Sequence, residues 1–328
     1  MAEYTKLLEA EIQALAGRYE LRVASYAPIE QGAGNTNYLL QTNRGKFILT
    51  VFEIEPRRVA QMSNVLLLLE QYQFPAPRLY RLPNGEVLTA YKEKSVLVKP
   101  YITGRVETEN DAGQVKQVGT ALARLHAIPA PDYLSDQHTY VEKIYPQVMA
   151  LDMDPEYQDW IEQRYKFIID QLPPQLPVGL VHGDLFYDNV LFEDGKFKAI
   201  LDFEDMRRIY KVFDLGMAVA GICTEGPNLV ISKVSALVAG YQEVLILEEI
   251  EKDSLQMCIE WAAILTSAWG FWKYNIDMPD ADKSEKYMQM VNIPKSARAI
   301  PIEDFKAAVF SGVKRATQPR VNPDLLRS

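Results

Sequence analysis

The stretch LVHGDLFYDNVLF, beginning at Leu180, sets two apolar runs around a histidine, two aspartates and an asparagine. Apolar runs this short, rich in Val, Leu and Phe, read as buried strands. Ionised carboxylates are not left unpaired inside such a layer, because burying a charge without partners is costly. The polar insert is therefore a loop that leaves the apolar layer and returns to it. A second apolar run, AILDFED, ends in Asp202 shortly downstream. Each strand thus delivers acidic side chains at its end, and the rest of the chain must be arranged around that fact.

A chain of 328 residues is too long for one small core and comfortable for two lobes. With 48% hydrophobic and 24% charged residues it has the composition of an ordinary globular protein. The net charge of −9 argues against nucleic acid or an anionic membrane as partner. A local cluster of donors can still hold phosphate on an acidic protein. Cys223 and Cys258 form neither a metal spacing nor a disulfide framework, and the N-terminus lacks the pattern of a signal peptide. No run of eighteen or more apolar residues appears. These features predict a cytoplasmic protein without a membrane span, and no pattern assigns an oligomeric state.

Leu7, Leu8, Ile12 and Leu15 recur at helical spacing and predict a short opening helix. YLLQT and KFILTVFE flank the turn signal NRG and predict a hairpin from Tyr38 to Glu53. Val59, Met62, Leu66 and Leu69 form one apolar helix face, and two further strands follow a pair of prolines. This order predicts an α+β organisation in which residues 1–98 form a small N-terminal lobe with an antiparallel sheet. KPYITG, residues 99–104, reads as a linker. Residues 105–328 read as a larger, mostly helical lobe, opening with a Thr108-x-x-Asp111 capping pattern and an amphipathic helix. After Asp214 only helices and loops are expected, and the polar, proline-bearing tail at 315–328 is expected to be poorly ordered.

Asp184 and Asn189 stand at the spacing D-L-x-x-x-N, with Leu185 in second place. In the protein-kinase signature that aspartate faces the acceptor hydroxyl and that asparagine holds Mg²⁺. Asp202, followed by Phe203, adds a carboxylate suited to the metal that bridges nucleotide phosphates. Phosphoryl transfer needs a base or positioner for the hydroxyl and hard oxygen ligands for the metal, and this set supplies both.

Taken together, VHGDLFYDNVLF, AILDFED and VFDLGMAV resemble the aminoglycoside phosphotransferase and choline kinase superfamily, small-molecule relatives of protein kinases. The resemblance extends from about residue 26 to about residue 274. It implies a bilobal protein-kinase-like fold with ATP and Mg²⁺ as cofactors. It also implies Asp184 as catalytic base, Asn189 and Asp202 as metal ligands, His182 as a brace of the catalytic loop, and Asp214 as that loop's anchor from the following helix. IEQGAGNTNYLLQTNRGKFILTVFE is further similar to the bacterial type II homoserine kinases, whose catalytic loop also carries Asp-Leu-Phe-x-Asp-Asn. That narrower resemblance implies a small-molecule hydroxyl acceptor, homoserine first. Choline, ethanolamine, hydroxylysine, methylthioribose and aminoglycosides are the superfamily's other acceptors.

EQGAGNTNY would then cover the phosphates: Gly32 and Gly34 let backbone amides approach, and Asn35, Thr36 and Asn37 add side-chain donors. Alone, this pattern is equally a hairpin turn. Backbone groups of Lys99 and Tyr101 are the expected adenine contacts, since Pro100 has no N–H. One departure from the kinase pattern stands out. Thr50 occupies the strand position of the phosphate-holding lysine, and Gln61, Met62 or Asn64 that of its glutamate partner. Losing both members together leaves no unpaired charge. Phosphate charge is then met elsewhere, by backbone N–H groups of the glycine loop, by Mg²⁺, or by Lys46 or Lys99, among which the sequence does not choose.

Other residues carry a plain reading beside a functional one. His126 suits a helix-end capping or packing role, and His138 in SDQHTY is expected in solvent. Asp188 is either a further metal ligand or a turn-closing residue. Trp261 and Trp269 either belong to a helical core or wall an acceptor pocket that receives an ammonium group. Glu204, Asp205 and Glu260 are candidate acids for such a pocket, and Arg207, Arg208 and Lys273 are candidates for a substrate carboxylate. Two readings of other classes are a nucleotide-binding pseudoenzyme, motivated by the missing lysine and glutamate, and a metal-dependent hydrolase. A chain with 3 histidines is poorly supplied for the second.

Overall fold

The structure, a computed structural model, describes residues 5–29, 34–138, 140–151 and 153–311. Gly32 and the tail at 315–328 lie outside the described residues. The chain divides into two compact units, Met1–Gly104 with Ala199–Glu204, and Arg105–Lys198 with Asp205–Ser328. The return of Ala199–Glu204 to the first unit differs from the unbroken second lobe expected from sequence. Its local cause is visible: the Ile200 N–H donates to the Pro75 carbonyl at 3.1 Å, and Phe203 packs edge-on against Phe74.

The first unit begins with α1 (Glu9–Arg18), then β1 (Val23–Ile29), β2 (Thr36–Thr42), β3 (Gly45–Val51), α2 (Pro56–Gln71), β4 (Leu88–Tyr91) and β5 (Lys94–Pro100). Its five strands form one antiparallel sheet in the order β1-β2-β3-β5-β4. Asn43 and Arg44 turn β2 into β3, and Gly45 supplies the left-handed backbone that this tight turn requires, at φ 109°. Strand alternation sorts the side chains onto two faces. Leu40, Phe47, Leu49, Val51, Val96 and Val98 join Ile12 and Leu15 of α1 in one buried cluster. Ile48, Thr50, Leu97 and Lys99 take the opposite face. Leu8, expected on the apolar face of α1, is instead its N-cap and 71% exposed. The strand β5 also runs through Pro100, two residues into the segment read as a linker.

The second unit contains β6 (Arg105–Val106), α3 (Ala112–His126), a π-helical turn (Tyr140–Ile144), α4 (Tyr145–Met149) and α5 (Pro155–Gln171). Next come β7 (Val178–Val181), a 3₁₀ turn (Tyr187–Asn189), β8 (Val190–Glu193), β9 (Lys196–Ile200), β10 (Arg207–Tyr210) and α6 (Lys211–Ile222). The last two residues of β9 already cluster with the first unit. A hairpin of β11 (Thr224–Glu225) and β12 (Asn228–Leu229) then leads to α7 (Ile231–Tyr241), α8 (Glu249–Trp272), α9 (Tyr287–Arg298) and α10 (Ile302–Phe310). The hairpin replaces the plain loop expected at CTEGPN. The cap of α3 is Asp111 itself, whose carboxylate accepts from the Gln114 N–H at 2.8 Å while Gln114 accepts from the Asp111 N–H. Thr108 plays no part in it. The helix α6 is buried on every side from Val212 to Ile222, which explains its lack of a polar face.

Candidate active site

The loop after β7 is built around one buried carboxylate. Asp214, in the first turn of α6, accepts the backbone N–H of His182 at 2.7 Å and of Gly183 at 2.9 Å. Its Oδ2 also meets His126 Nε2 at 3.0 Å, and His126 Nδ1 meets the Tyr241 hydroxyl at 2.9 Å. Burial works against the charged form of Asp214, but the His126 hydrogen bond and the loop amides outweigh it and hold the carboxyl below its ordinary range. Burial holds His126 below its own ordinary range, against the pull of Asp214. The pair is therefore a neutral imidazole donating to a carboxylate, with Tyr241 donating to the other ring nitrogen.

Gly183 turns the chain at φ 84°, and a Cβ there would stand 2.4 Å from the Asp205 carbonyl oxygen, so only glycine fits. The next residue is Asp184, half-buried, whose N–H donates to His182 Nδ1 at 3.2 Å. Its carbonyl accepts from Asn189 Nδ2 at 2.9 Å, so the asparagine closes the loop five residues on. Tyr140 donates its hydroxyl to Asp184 Oδ1 at 3.3 Å. His138 corrects the expectation of a solvated residue: it is 2% exposed, and its Nε2 lies 2.8 Å from the Gly183 carbonyl oxygen. His138 and Tyr140 were not legible as site residues, since they stand in a polar segment without periodicity. His126 had a signal, because it ends the buried face of α3 beside Leu122 and Leu125.

Thr36, Asn37, Asn35, Lys99, Tyr101, Asp202 and Glu204 belong to the first unit. Asp202 takes left-handed backbone at φ 55°, a conformation that costs about 1–3 kcal/mol for a non-glycine residue and concentrates at functional positions. The side-chain donors assigned to phosphate have partners within the unit. Asn35 donates to the Glu204 carboxylate and accepts the Glu53 N–H at 3.1 Å. Thr36 donates to Glu53 at 2.9 Å, and Asn37 accepts the Thr50 hydroxyl at 2.7 Å. The side chains of Asn35, Thr36 and Asn37 are thus engaged within the first unit. Gly34 faces the Glu204 carboxylate, 3.9 Å from where its Cβ would be.

The Tyr101 N–H is already donated to the Lys46 carbonyl at 3.0 Å, and Lys99 pairs with Ile48. Along a strand, successive backbone groups point to opposite edges. The backbones of Lys99 and Tyr101 thus face β3, and those of Val98 and Pro100 face away from it; the Val98 carbonyl accordingly accepts from Tyr80 at 2.8 Å. The adenine contacts expected of Lys99 and Tyr101 backbones are corrected by this register.

A family described as the phosphotransferase enzyme family matches residues 25–247, a span containing all of these groups. The chain belongs to that family. A homoserine kinase of Granulibacter bethesdensis is 25% identical over 274 residues, covering 80% of this chain and 86% of that protein. A homoserine kinase of Caulobacter sp. strain K31 is 27% identical, again covering 80% and 86%. Among solved structures, an amicoumacin kinase complexed with AMP-PNP, Ca²⁺ and its ligand superposes with TM-score 0.69 at 16% identity, covering 90% of this chain and 95% of the other. A choline/ethanolamine kinase family protein from Mesorhizobium loti gives TM-score 0.66 at 19% identity, covering 92% and 97%. The protein-kinase-like α+β fold expected from sequence is the fold observed.

For the acceptor side of this phosphotransferase the structure sorts the candidates. Trp261 is buried against Phe213, with ring centroids 4.4 Å apart, and Trp269 packs on Tyr274. Glu260 does not offer free negative charge: Arg164 grips it in a bidentate pair at 2.8 and 2.9 Å, and Arg298 adds a contact at 3.3 Å. Glu204 stands with Asn35 in the first unit, and Asp205 faces Arg207 at 3.6 Å in the second. Arg207 spends its guanidinium on the Gln137 and Met206 carbonyls, and Lys273 pairs with Asp277 at 2.8 Å. Arg208 is exposed, 4.0 Å from Asp132. A cavity of about 270 Å³ lined by Asp154, Phe271, Asn275, Glu285 and Tyr287 contains none of the predicted site residues. Among the described residues no helix is long and apolar enough to cross a membrane.

The donor set suits Mg²⁺ completed by phosphate and water. Among the described residues no three His, Cys, Asp or Glu side chains converge into a metal cage. Mg²⁺ does not need one, since one or two carboxylates with substrate oxygens are its usual protein complement. Asp202, exposed on its strained turn, is a hard oxygen donor of that kind.

Proposed function

We propose that this phosphotransferase moves the γ-phosphoryl group of ATP to the hydroxyl of a small amine-bearing metabolite, homoserine being the first choice. The observation that carries the reading is the Asp214-anchored loop, which holds Asp184 by backbone bonds while leaving its carboxylate partly accessible. The coverage of most of each homoserine kinase relative supports the choice of acceptor.

Asp184 accepts the acceptor's hydroxyl proton as the oxygen bonds to phosphorus and the bond to ADP breaks. His182, Asp214 and Asn189 fix the loop; Asn189 and Asp202 are assigned to Mg²⁺, which when bound neutralises charge on the phosphates. Backbone amides near Gly34 approach the phosphates, and the Pro100 carbonyl, on the edge of β5 turned away from β3, is assigned to adenine.

The test is ADP release from MgATP with homoserine, choline, ethanolamine, hydroxylysine, methylthioribose and aminoglycosides. Homoserine is expected to give the highest kcat/KM. Release with another acceptor and none with homoserine would replace the substrate. MgATP binding without acceptor-dependent release for any of them would make the protein a nucleotide-binding pseudoenzyme.

A further inference from the structure

Thr50 stands where the kinase pattern puts a lysine, so the positive charge that meets the phosphates has to come from another position. Thr50 is 1% exposed and its hydroxyl is committed to Asn37, so this position offers neither charge nor a spare donor. The register of β3 and β5 shows what lies beside it. Thr50 pairs with Leu97 and Ile48 pairs with Lys99, so Lys99 is the diagonal neighbour of Thr50 on the same sheet face. Diagonal partners are about 7–8 Å apart, within reach of a long side chain. Lysine's flexible four-carbon stem therefore lets an ammonium from β5 serve the region that a β3 lysine would serve.

We propose that Lys99 is the phosphate-binding lysine of this enzyme, displaced from β3 to the adjacent strand, and that Glu204 is its carboxylate partner.

Three observations converge. The carboxylates acting on the Lys99 ammonium are those of Glu204 and Asp202, the second being the residue assigned to the nucleotide's metal. Glu204 is held where a partner is needed. Asn35 donates to its carboxylate, and Arg58 of α2 donates to its carbonyl at 3.4 Å. Meanwhile α2 itself supplies no glutamate: Met62 is buried, Asn64 is exposed and Gln61 is half-buried. The lysine and the glutamate are thus both absent from their usual elements and both present on neighbouring ones. Lys46 is the competing cation, but it is exposed, two strand positions beyond Ile48's side of Thr50, and lies 5.9 Å over the Tyr101 ring.

This inference rests on the ATP-dependent reading above, and the experiment separates the two. Calorimetric affinities for MgATP and for adenosine are measured on wild type, Lys99→Met, Lys46→Met and the double variant Lys99→Met/Thr50→Lys, with thermal midpoints to verify folding. Lys99→Met is expected to weaken MgATP binding about 10- to 100-fold, the scale of a lost charged hydrogen bond, and adenosine binding by less than about threefold. Returning a lysine to β3 in the double variant is expected to recover part of the MgATP affinity. Unchanged MgATP affinity in Lys99→Met, an equal loss for both ligands, or a selective loss in Lys46→Met instead would overturn the proposal. A folded wild-type protein that binds no MgATP and releases no ADP would sink the parent reading itself.

Discussion

Asp184 owes its position to groups that need never meet a substrate. Asp214 takes the N–H groups of His182 and Gly183, His182 takes the N–H of Asp184, and His138 lies against the Gly183 carbonyl. As the proposed base, Asp184 gains by this orientation, and its own removal isolates the proton-transfer contribution. Asp184→Asn is expected to lower kcat about 10²–10⁴-fold, with MgATP affinity little changed; turnover near that of wild type would remove Asp184 from the role. The same residues predict a pH dependence of stability. Burial holds both His126 and His138 below the ordinary value of 6.5. The unfolded chain therefore binds protons that the folded chain refuses, and their contribution is fully present above 6.5 and lost as pH falls below it. Asp214 adds a loss only at lower pH, below its ordinary 3.8. Urea midpoints should fall between about pH 7 and pH 5, and His138→Gln should flatten that fall. A pH-independent midpoint over this range would contradict the neutral, buried state of the two rings.

Among elements, glycine decides how closely helices approach. A Cβ on Gly119 of α3 would lie 2.0 Å from the Leu237 carbonyl oxygen of α7, and one on Gly240 of α7 would lie 1.9 Å from the Lys116 carbonyl oxygen of α3. Each glycine thus receives the other helix's backbone, and no side-chain rotation can relieve an added methyl. Gly119→Ala and Gly240→Ala should each destabilise by about 1–3 kcal/mol or more, the usual cost of overpacking. Gly17 in α1 is the contrast, because nothing lies within 4 Å of its Cβ direction. Gly17→Ala should be neutral or stabilise by up to about 1 kcal/mol through helix propensity. Denaturant titration of the three variants checks both signs. The sequence shows these glycines inside helical patterns but does not reveal which are contacts, because the opposing backbone lies far away along the chain.

At the scale of the whole molecule, nucleotide binding should register as stability. A ligand that binds only the folded state at a hundredfold excess over its Kd contributes about 2.7 kcal/mol. Thermal unfolding with MgATP should accordingly shift upward by several degrees, with a smaller shift when EDTA removes the metal. Absence of any shift at saturating MgATP would count against the assigned function. Cys223 and Cys258 are both fully buried, and burial pushes their thiols well up. They are packed in the interior of the helical unit and have no part in the chemistry assigned here.

The strand-loop-strand pattern around Asp184, the acidic end of β9 and the apolar period of the helices were legible in the chain, because spacing and alternation are local properties. So was Asp214 as the anchor of the loop that carries Asp184, whose backbone N–H groups it accepts. Partnership was not. His138 looked like a solvated loop residue until the fold buried it under Gly183. Glu260 looked like a pocket acid until two arginines closed on it. Lys99 and Lys46 were equivalent as letters. The antiparallel register of β3 and β5 separates them, placing Lys99 diagonal to Thr50. Such pairings depend on long-range registers and on which strands become neighbours. Those are set by burial summed over the whole sheet, and no window of sequence contains them.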